Sequence, residues 1–149
     1  MSEQLNLAVT FLTGLLDSFG LEGRIDTVTT GDDYEVRVHG DDLGLLIGPR
    51  GQTLAAVQDL TRLAAQREGR EGRLHVDVAG YRERRRVALE RFTRQIAAEV
   101  EGSGEARILE PMSAADRKVV HDTAATIPGV VSVSEGEDPA RRVVIRPAE

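Results

Sequence analysis

Cysteine is absent from this chain of 149 residues, so disulfide bonds, thiolate metal sites and thiol nucleophiles are all excluded. The three histidines, His39, His75 and His121, fall in separate predicted elements, and none forms a helical pair of metal ligands with another. We therefore predict that the protein holds neither a metal ion nor another cofactor.

Long apolar runs are also missing, because no segment approaches the roughly 18 residues that a transmembrane helix needs. The first residues, MSEQLNLAVTFLTGLL, contain neither the basic leader nor the small-residue cleavage site of a secretory signal. These absences predict a soluble, cytoplasmic protein that does not interact with membranes.

Aromatic residues are scarce: the chain has no tryptophan, three phenylalanines and two tyrosines. Phe19 and Phe92 fall on the apolar stripes of two predicted helices, so we expect both side chains in hydrophobic cores. A platform of aromatic rings for stacking nucleic-acid bases is therefore disfavoured.

The formal net charge of −6 argues against a polyanionic partner, but the charges are unevenly distributed. Residues 1–45 contain nine acidic and two basic residues, whereas residues 46–100 contain seven acidic residues and eleven arginines. Residues 101–149 contain nine acidic and six basic residues. The basic middle segment is compatible with a local anion-binding surface or with ordinary solvated surface.

Hydrophobic periodicity and turn residues predict two consecutive groups of elements. The first group comprises a helix over 4–19, strands near 24–30 and 34–39, a helical turn over 41–47, a helix over 51–67 and a strand in RLHVDVAG. The second comprises a helix over 82–101, a short strand in ARILEP, a helix capped by Ser113 with Asp116 three residues later, and strands near 130–134 and 141–146. The predicted class is α+β, with the order α-β-β-α-α-β in a small domain, 1–80, and α-β-α-β-β in a second, 81–149.

The segment IGPRG places Gly48 and Gly51 on either side of a two-residue tip, directly before the predicted helix over 51–67. Glycines leave the backbone bare, so that a phosphate group can come within hydrogen-bonding distance of the peptide N–H groups. The helix N-terminus adds partial positive charge, and Arg50 adds a full charge. The segment lacks the pattern of a nucleotide P-loop or of a dinucleotide fingerprint. It is either an anion clamp, formed by Ile47, Gly48, Pro49, Arg50 and Gly51, or a plain turn.

Arg117 and His121 are four residues apart on the predicted helix after Ser113, and are therefore neighbours on one face. We expect both side chains to flank an apolar stripe and to remain partly exposed, where they suit phosphate contact and base stacking. Lys118, the only lysine in the chain, completes this candidate set. The alternative is that His121 is a helix-surface residue with local hydrogen bonds. No activated nucleophile accompanies the pair, so we predict no catalytic residues and no enzyme.

The segment YRERRRVALERFTR contains a run of arginines on the predicted helix over 82–101. Arg85 and Arg86 are secondary candidates for phosphate contact. The alternative is a solvated helix face on which the arginines pair with Glu83 and Glu90.

The order α-β-β-α-α-β around IGPRG, with the apolar residues before it, resembles a KH domain of the type II arrangement. This resemblance covers residues 1–80 and implies that the Gly-x-x-Gly loop clamps the backbone of about four nucleotides, with bases in an apolar groove beside it. Pro49 departs from the family pattern. Proline has no N–H donor, and it stands at a position where family members often carry a basic residue. The resemblance thus implies a greater dependence on Arg50.

The spacing Arg-x-x-x-His on the middle helix of an α-β-α-β-β unit resembles the domain family named after that motif, which is associated with single-stranded nucleic acid. The two domains in this order are similar to the Jag (KhpB) family of bacterial RNA-binding proteins. The resemblance implies a non-enzymatic protein that binds single-stranded RNA, with single-stranded DNA as a further ligand. Longer members of the family carry an additional N-terminal domain and linker, and functions tied to that extension are not expected here.

The resemblance further implies roles in post-transcriptional regulation and in cell elongation and division, and pairing with a small single-KH-domain protein. An alternative from a different class is a protein-interaction scaffold whose working surface is the acidic face of residues 1–45. Only the first interpretation predicts affinity for RNA that falls steeply with salt.

Overall fold

A computed structural model describes residues 2–66 and 72–149 of the chain. The helices are α1 (Glu3–Ser18), α2 (Gln52–Ala64), α3 (Tyr81–Ser103) and α4 (Ala114–Ala124), with short 3₁₀ turns at Gly44–Leu46 and Pro49–Gly51. The strands are β1 (Arg24–Thr30), β2 (Asp33–His39), β3 (Arg73–Val78), β4 (Arg107–Ile108), β5 (Val130–Glu135) and β6 (Arg142–Pro147). These elements form two compact units, Met1–Arg82 and Glu83–Glu149.

The first unit contains a sheet with the strand order β1-β2-β3. β1 and β2 are antiparallel, as a short turn between them requires, whereas β2 and β3 are parallel and are connected through α2. α1 and α2 pack together, and each contacts the sheet. The alternation predicted for β2 and β3 buries one side chain in two, including Val36, Val38, Val76 and Val78. The packing of the helices on the sheet thus fixes the position of α2 and of the loop that precedes it.

The second unit contains a sheet with the order β4-β6-β5, in which all neighbours are antiparallel. The burial of β5 alternates, so that Val130, Ser132 and Ser134 lie on the side of α4 while Val131 and Val133 are exposed on the other side. The core of this unit comprises Leu89, Ile96, Ala97, Val100, Leu109, Val120, Val130, Val143 and Ile145. Ser113 caps α4 as expected, since its Oγ accepts a hydrogen bond of 3.2 Å from the Asp116 N–H.

The assignment of Phe19 and Phe92 to hydrophobic cores is wrong, because these side chains are 52% and 41% exposed. Phe19 follows the end of α1, at the C-cap position where the backbone leaves helical geometry. On α3 the buried stripe passes through Thr93 instead of Phe92. The Thr93 hydroxyl donates to the Leu89 carbonyl at 2.7 Å, so its burial leaves no unpaired donor.

On α2 the buried positions are Leu54, Val57 and Thr61, whereas Leu60 is exposed. Ala65 is buried directly after the helix ends. Residue 67, the predicted end of this helix, lies outside the described residues. Among the helices of the described ranges, none is both long and apolar enough to cross a membrane.

Candidate functional site

The loop before α2 has an unusual backbone. Gly48, Arg50 and Gly51 all have positive φ angles, of +70°, +54° and +74°, in the region that favours glycine. Arg50 adopts this conformation although it carries a side chain, at the exposed tip of the turn. The loop therefore holds Arg50 in a specific, strained conformation directly before the N-terminus of α2.

Both glycines of the loop are required by the packing of the protein itself. A Cβ atom at Gly48 would lie 2.1 Å from Oγ1 of Thr53, and one at Gly51 would lie 2.6 Å from Cε1 of Tyr81. Both distances are shorter than any van der Waals contact. The glycines were predicted to let a ligand approach the backbone, but the fold supplies an internal reason for each.

Several N–H groups of the loop already have partners within it. Hydrogen bonds run from Gly48 N–H to Gly44 O at 3.0 Å, from Gly51 N–H to Gly48 O at 3.2 Å, from Gln52 N–H to Pro49 O, and from Leu54 N–H to Ile47 O at 3.0 Å. Pro49 has no N–H, and Ile47 is half-buried against the core. The loop thus offers an anion chiefly the charge of Arg50 and the positive end of α2, and fewer free N–H groups than the sequence suggested.

Arg117 does not flank the core as a partly exposed side chain, and that expectation is wrong. Its relative exposure is 7%, and its Nη1 donates to the Met112 carbonyl at 2.6 Å and to Oδ1 of Asp138 at 3.1 Å. A buried guanidinium needs such acceptors, because it would otherwise lose its hydration without compensation. Arg117 therefore connects α4 to Met112, which precedes the helix, and to Asp138, which lies between β5 and β6.

His121 is half-buried, and both of its ring nitrogens contact serine hydroxyls of β5. Nδ1 lies 2.6 Å from Oγ of Ser132, and Nε2 lies 2.6 Å from Oγ of Ser134. The sequence analysis missed both serines. Their signal was available: Ser132 and Ser134 alternate with valines and share a strand face with the buried Val130, so two polar residues had to face the helix.

Lys118 lies on the exposed side of α4, with 76% of its side chain accessible, and pairs with Asp122 one turn later at 2.6 Å. The structure thus directs Lys118 into solvent, whereas Arg117 turns inward and His121 faces the sheet. Arg117 and His121 thus lie on the side of α4 that faces the protein, and Lys118 lies on the exposed side.

The secondary candidates both pair with carboxylates. Arg85 bonds to Oδ2 of Asp116 at 3.2 Å, and Arg86 bonds to both Glu83 and Glu90 on α3. The hydrogen bond from Arg86 holds the pKa of Glu83 below its ordinary value, and the same bond raises the pKa of Arg86. The pairs of Arg86 match the alternative in which the arginine run is balanced by Glu83 and Glu90, whereas Arg85 pairs with a residue of α4.

Within the described residues, no group of three or more histidine, aspartate or glutamate side chains is arranged to hold a metal ion. The candidate site consists of two clusters of residues, one in each unit. The loop cluster is Ile47–Gly51. The histidine cluster is Arg117, His121, Ser132 and Ser134.

Comparison with known proteins identifies both units. A model of the KhpA/KhpB KH domain matches residues 6–78, and a model of the domain named after the Arg-x-x-x-His motif matches residues 87–147. The RNA-binding protein KhpB of Clostridium symbiosum is 34% identical over 141 residues, which cover 93% of this chain and 64% of that protein. The chain belongs to the KhpB family. The predicted family and the α+β class are thereby confirmed.

Two further KhpB relatives show similar identity. The RNA-binding protein KhpB of Lactiplantibacillus plantarum is 40% identical over 103 residues, covering 68% of this chain and 32% of the relative. The protein of the same name from Bacillus subtilis is 35% identical over 130 residues, covering 84% and 62%. The chain thus spans less than two thirds of the length of each of these three relatives. All three carry the name of a binding protein rather than that of an enzyme.

Proposed function

We propose that this chain is a non-enzymatic protein that binds single-stranded RNA through the loop cluster and the histidine cluster. The observation that carries the proposal is the backbone of the loop, which holds an exposed arginine at positive φ in front of the N-terminus of α2. An exposed arginine that directly precedes a helix N-terminus is a favourable site for a phosphate group. The loop lies in the unit matched by the KH model, and KH domains clamp a nucleic-acid backbone with a Gly-x-x-Gly loop.

The second cluster supports the same function. Arg117 and His121 lie in the range matched by the model of the Arg-x-x-x-His domain, and the relatives are named RNA-binding proteins. Two modules in one chain raise the overall affinity for a strand that reaches both, even where each module binds few nucleotides.

The biological setting is part of the same proposal. We place the protein in the cytoplasm, with single-stranded RNA as its principal ligand and single-stranded DNA as a further one. Its roles are in post-transcriptional regulation and in cell elongation and division, and it pairs with a small single-KH-domain protein. The family to which the chain belongs supports this setting.

The test is fluorescence anisotropy of a labelled single-stranded RNA at several salt concentrations, with the full chain and an Arg50→Asn variant. Asparagine tolerates positive φ but carries no charge, so this variant removes the phosphate contact and keeps the turn. For single strands, each phosphate contact contributes about 0.7 to the slope of log affinity against log salt. We expect Arg50→Asn to weaken binding and to lower that slope by about 0.7.

Two control variants distinguish the contribution of the loop to RNA affinity from that of the general charge of the unit. Arg50→Lys keeps the charge and should retain most of the salt dependence. Arg24→Asn makes the same change of charge at an exposed residue of β1 and should leave binding unchanged. If Arg50→Asn and Arg24→Asn behave alike, the loop is only a turn. If the wild-type chain shows no affinity for RNA at low salt, the proposed function is wrong.

A second candidate function is a protein-interaction scaffold that uses the acidic face of the first unit. The observation in its favour is an open depression of about 490 Å³ whose lining includes Glu22, Asp41 and Asp42. This surface repels RNA and suits a basic protein partner. Binding of a protein partner that is abolished by Asp41→Asn/Asp42→Asn, in a chain without affinity for RNA, would favour this function.

A further inference from the structure

The hydrogen bonds of His121 limit what its ring can do. Both nitrogens lie 2.6 Å from a serine Oγ, so neither has a lone pair or an N–H directed at solvent. A phosphate group that reaches this part of the second unit must therefore displace a serine before it can bind the imidazole. Ser132 and Ser134, which are half-buried, are the adjacent residues whose hydroxyls have remaining hydrogen-bonding capacity.

That capacity depends on the protonation state of the ring. A neutral imidazole has one N–H donor and one acceptor nitrogen, so one serine accepts a hydrogen bond and the other must donate its O–H to the ring. An imidazolium has two N–H donors, so both serines accept, and both hydroxyl hydrogens are released to point elsewhere. Protonation thus adds one positive charge and frees one additional O–H donor.

We infer that Ser132 and Ser134 are the groups of the second unit that contact an RNA phosphate, and that His121 is a positioning residue whose protonation strengthens this contact. The inference rests on the proposed function and deepens it. An anion on the two hydroxyls stabilises the imidazolium, and the imidazolium in turn directs both hydroxyls towards the anion. By linkage, RNA binding and proton binding at His121 favour each other equally.

Charged groups on the elements that carry or flank the ring form ion pairs with one another. On α4, Arg117 pairs with Asp138 of the β5–β6 turn, and Lys118 pairs with Asp122. On the strands, Arg142 of β6 pairs with Glu135 of β5 at 3.0 Å. From α3, Arg85 pairs with Asp116. Carboxylates and guanidinium groups in general keep their charge between pH 6 and pH 8, since the ordinary pKa values of carboxylates lie well below this range and those of guanidinium groups lie well above it.

The experiment measures the affinity of the full chain for a labelled oligouridine at constant ionic strength from pH 8 to pH 6. We expect the affinity of the wild type to rise as the pH falls, by about fivefold, which is the lower end of the usual coupling between two ligands. Ser132→Ala/Ser134→Ala should bind more weakly at pH 6 and lose this rise. His121→Asn should lose the rise while keeping both serine hydroxyls.

A second measurement does not depend on affinity. In NMR spectra of the wild type, the midpoint of the His121 ring titration should move to higher pH when oligouridine is added, whereas in the serine double variant it should stay unchanged. Ser132→Thr/Ser134→Thr, which keeps both hydroxyls, should restore the shift.

Each outcome decides the inference. A wild type that binds RNA with the same pH profile as both variants overturns it and leaves the proposed function intact. A wild type that fails to bind RNA at any pH overturns both. Loss of the pH dependence in both variants, together with the NMR shift in the wild type alone, establishes the serines as the contacting groups.

Discussion

Replacing Gly51 by alanine tests whether the fold itself requires the bare backbone of the loop. At φ +74°, an alanine adopts the left-handed conformation at a cost of about 1–2 kcal/mol. Its Cβ would also lie 2.6 Å from Cε1 of Tyr81, about 1 Å inside the optimal carbon–carbon distance. Relieving that overlap by moving the ring costs roughly a further 1–2 kcal/mol, as overpacking does elsewhere. We expect Gly51→Ala to destabilise the first unit by about 2–4 kcal/mol in total.

Gly80 is the matched control, because it has a similar φ of +65° but nothing within 4 Å of the position of a Cβ. Gly80→Ala should therefore cost only the backbone term, about 1–2 kcal/mol. In a Tyr81→Ala background the overlap is absent, so Gly51→Ala should fall to the same cost. The coupling energy between positions 51 and 81 is then about 1–2 kcal/mol, within the range for residues in contact.

The assay is unfolding in urea followed by tyrosine fluorescence. The chain has no tryptophan, and its two tyrosines, Tyr34 and Tyr81, both belong to the first unit, so this signal reports on that unit within the full chain. Tyr34 alone reports in the Tyr81→Ala background. If Gly51→Ala costs no more than Gly80→Ala, or if Tyr81→Ala does not relieve it, the steric explanation of this glycine is refuted.

Two further predictions concern the second unit. Arg117→Met should raise amide exchange in α4 and destabilise the unit by about 2 kcal/mol, because the Met112 carbonyl loses its charged donor. Asp138→Asn keeps an acceptor at an exposed position, so it should destabilise the unit by less than about 1 kcal/mol. Equal effects of the two variants would contradict this order. The pKa of Glu83, measured by NMR titration, should lie below the ordinary value of a glutamate, because Arg86 donates a hydrogen bond to it, and should return to the ordinary value in Arg86→Gln. Since the folded pKa is lowered, the contribution to stability is present above the unfolded pKa and is lost as the pH falls through the folded one.

Periodicity was sufficient to predict most elements of both units. The alternation of Val36 and Val38 with polar residues identified β2, and the cap formed by Ser113 identified the start of α4. These features are local: a strand exposes alternate side chains, and a helix needs a cap, whatever the rest of the chain does.

The failures come from adjacent residues between which local pattern cannot choose. Phe92 and Thr93 are one position apart on α3, a rotation of about 100° around the axis, and only the packing of the unit decides which one faces the core. Threonine is buried there because its hydroxyl finds a carbonyl within its own helix. Hydrophobicity alone favoured the phenylalanine.

The candidate site shows the same limit at longer range. The positions of Arg117 and His121 on one helix were visible in the sequence, but their partners lie on the β5–β6 turn and on β5. No spacing rule relates positions 117 and 138, so the burial of Arg117 could not be predicted. The serines of β5 could have been, from their position on the same strand face as Val130.

The position of the single lysine has a practical consequence. Lys118 lies in the middle of α4, so a protease that cuts only after lysine has one site in the chain, inside a folded helix. Cleavage into residues 1–118 and 119–149 requires α4 to open first, and its rate under native conditions therefore measures the free energy of that local opening. A ligand that binds only the closed helix slows the cut in proportion to its occupancy. The chain thus contains a built-in reporter, one residue from Arg117, for whatever binds the second unit.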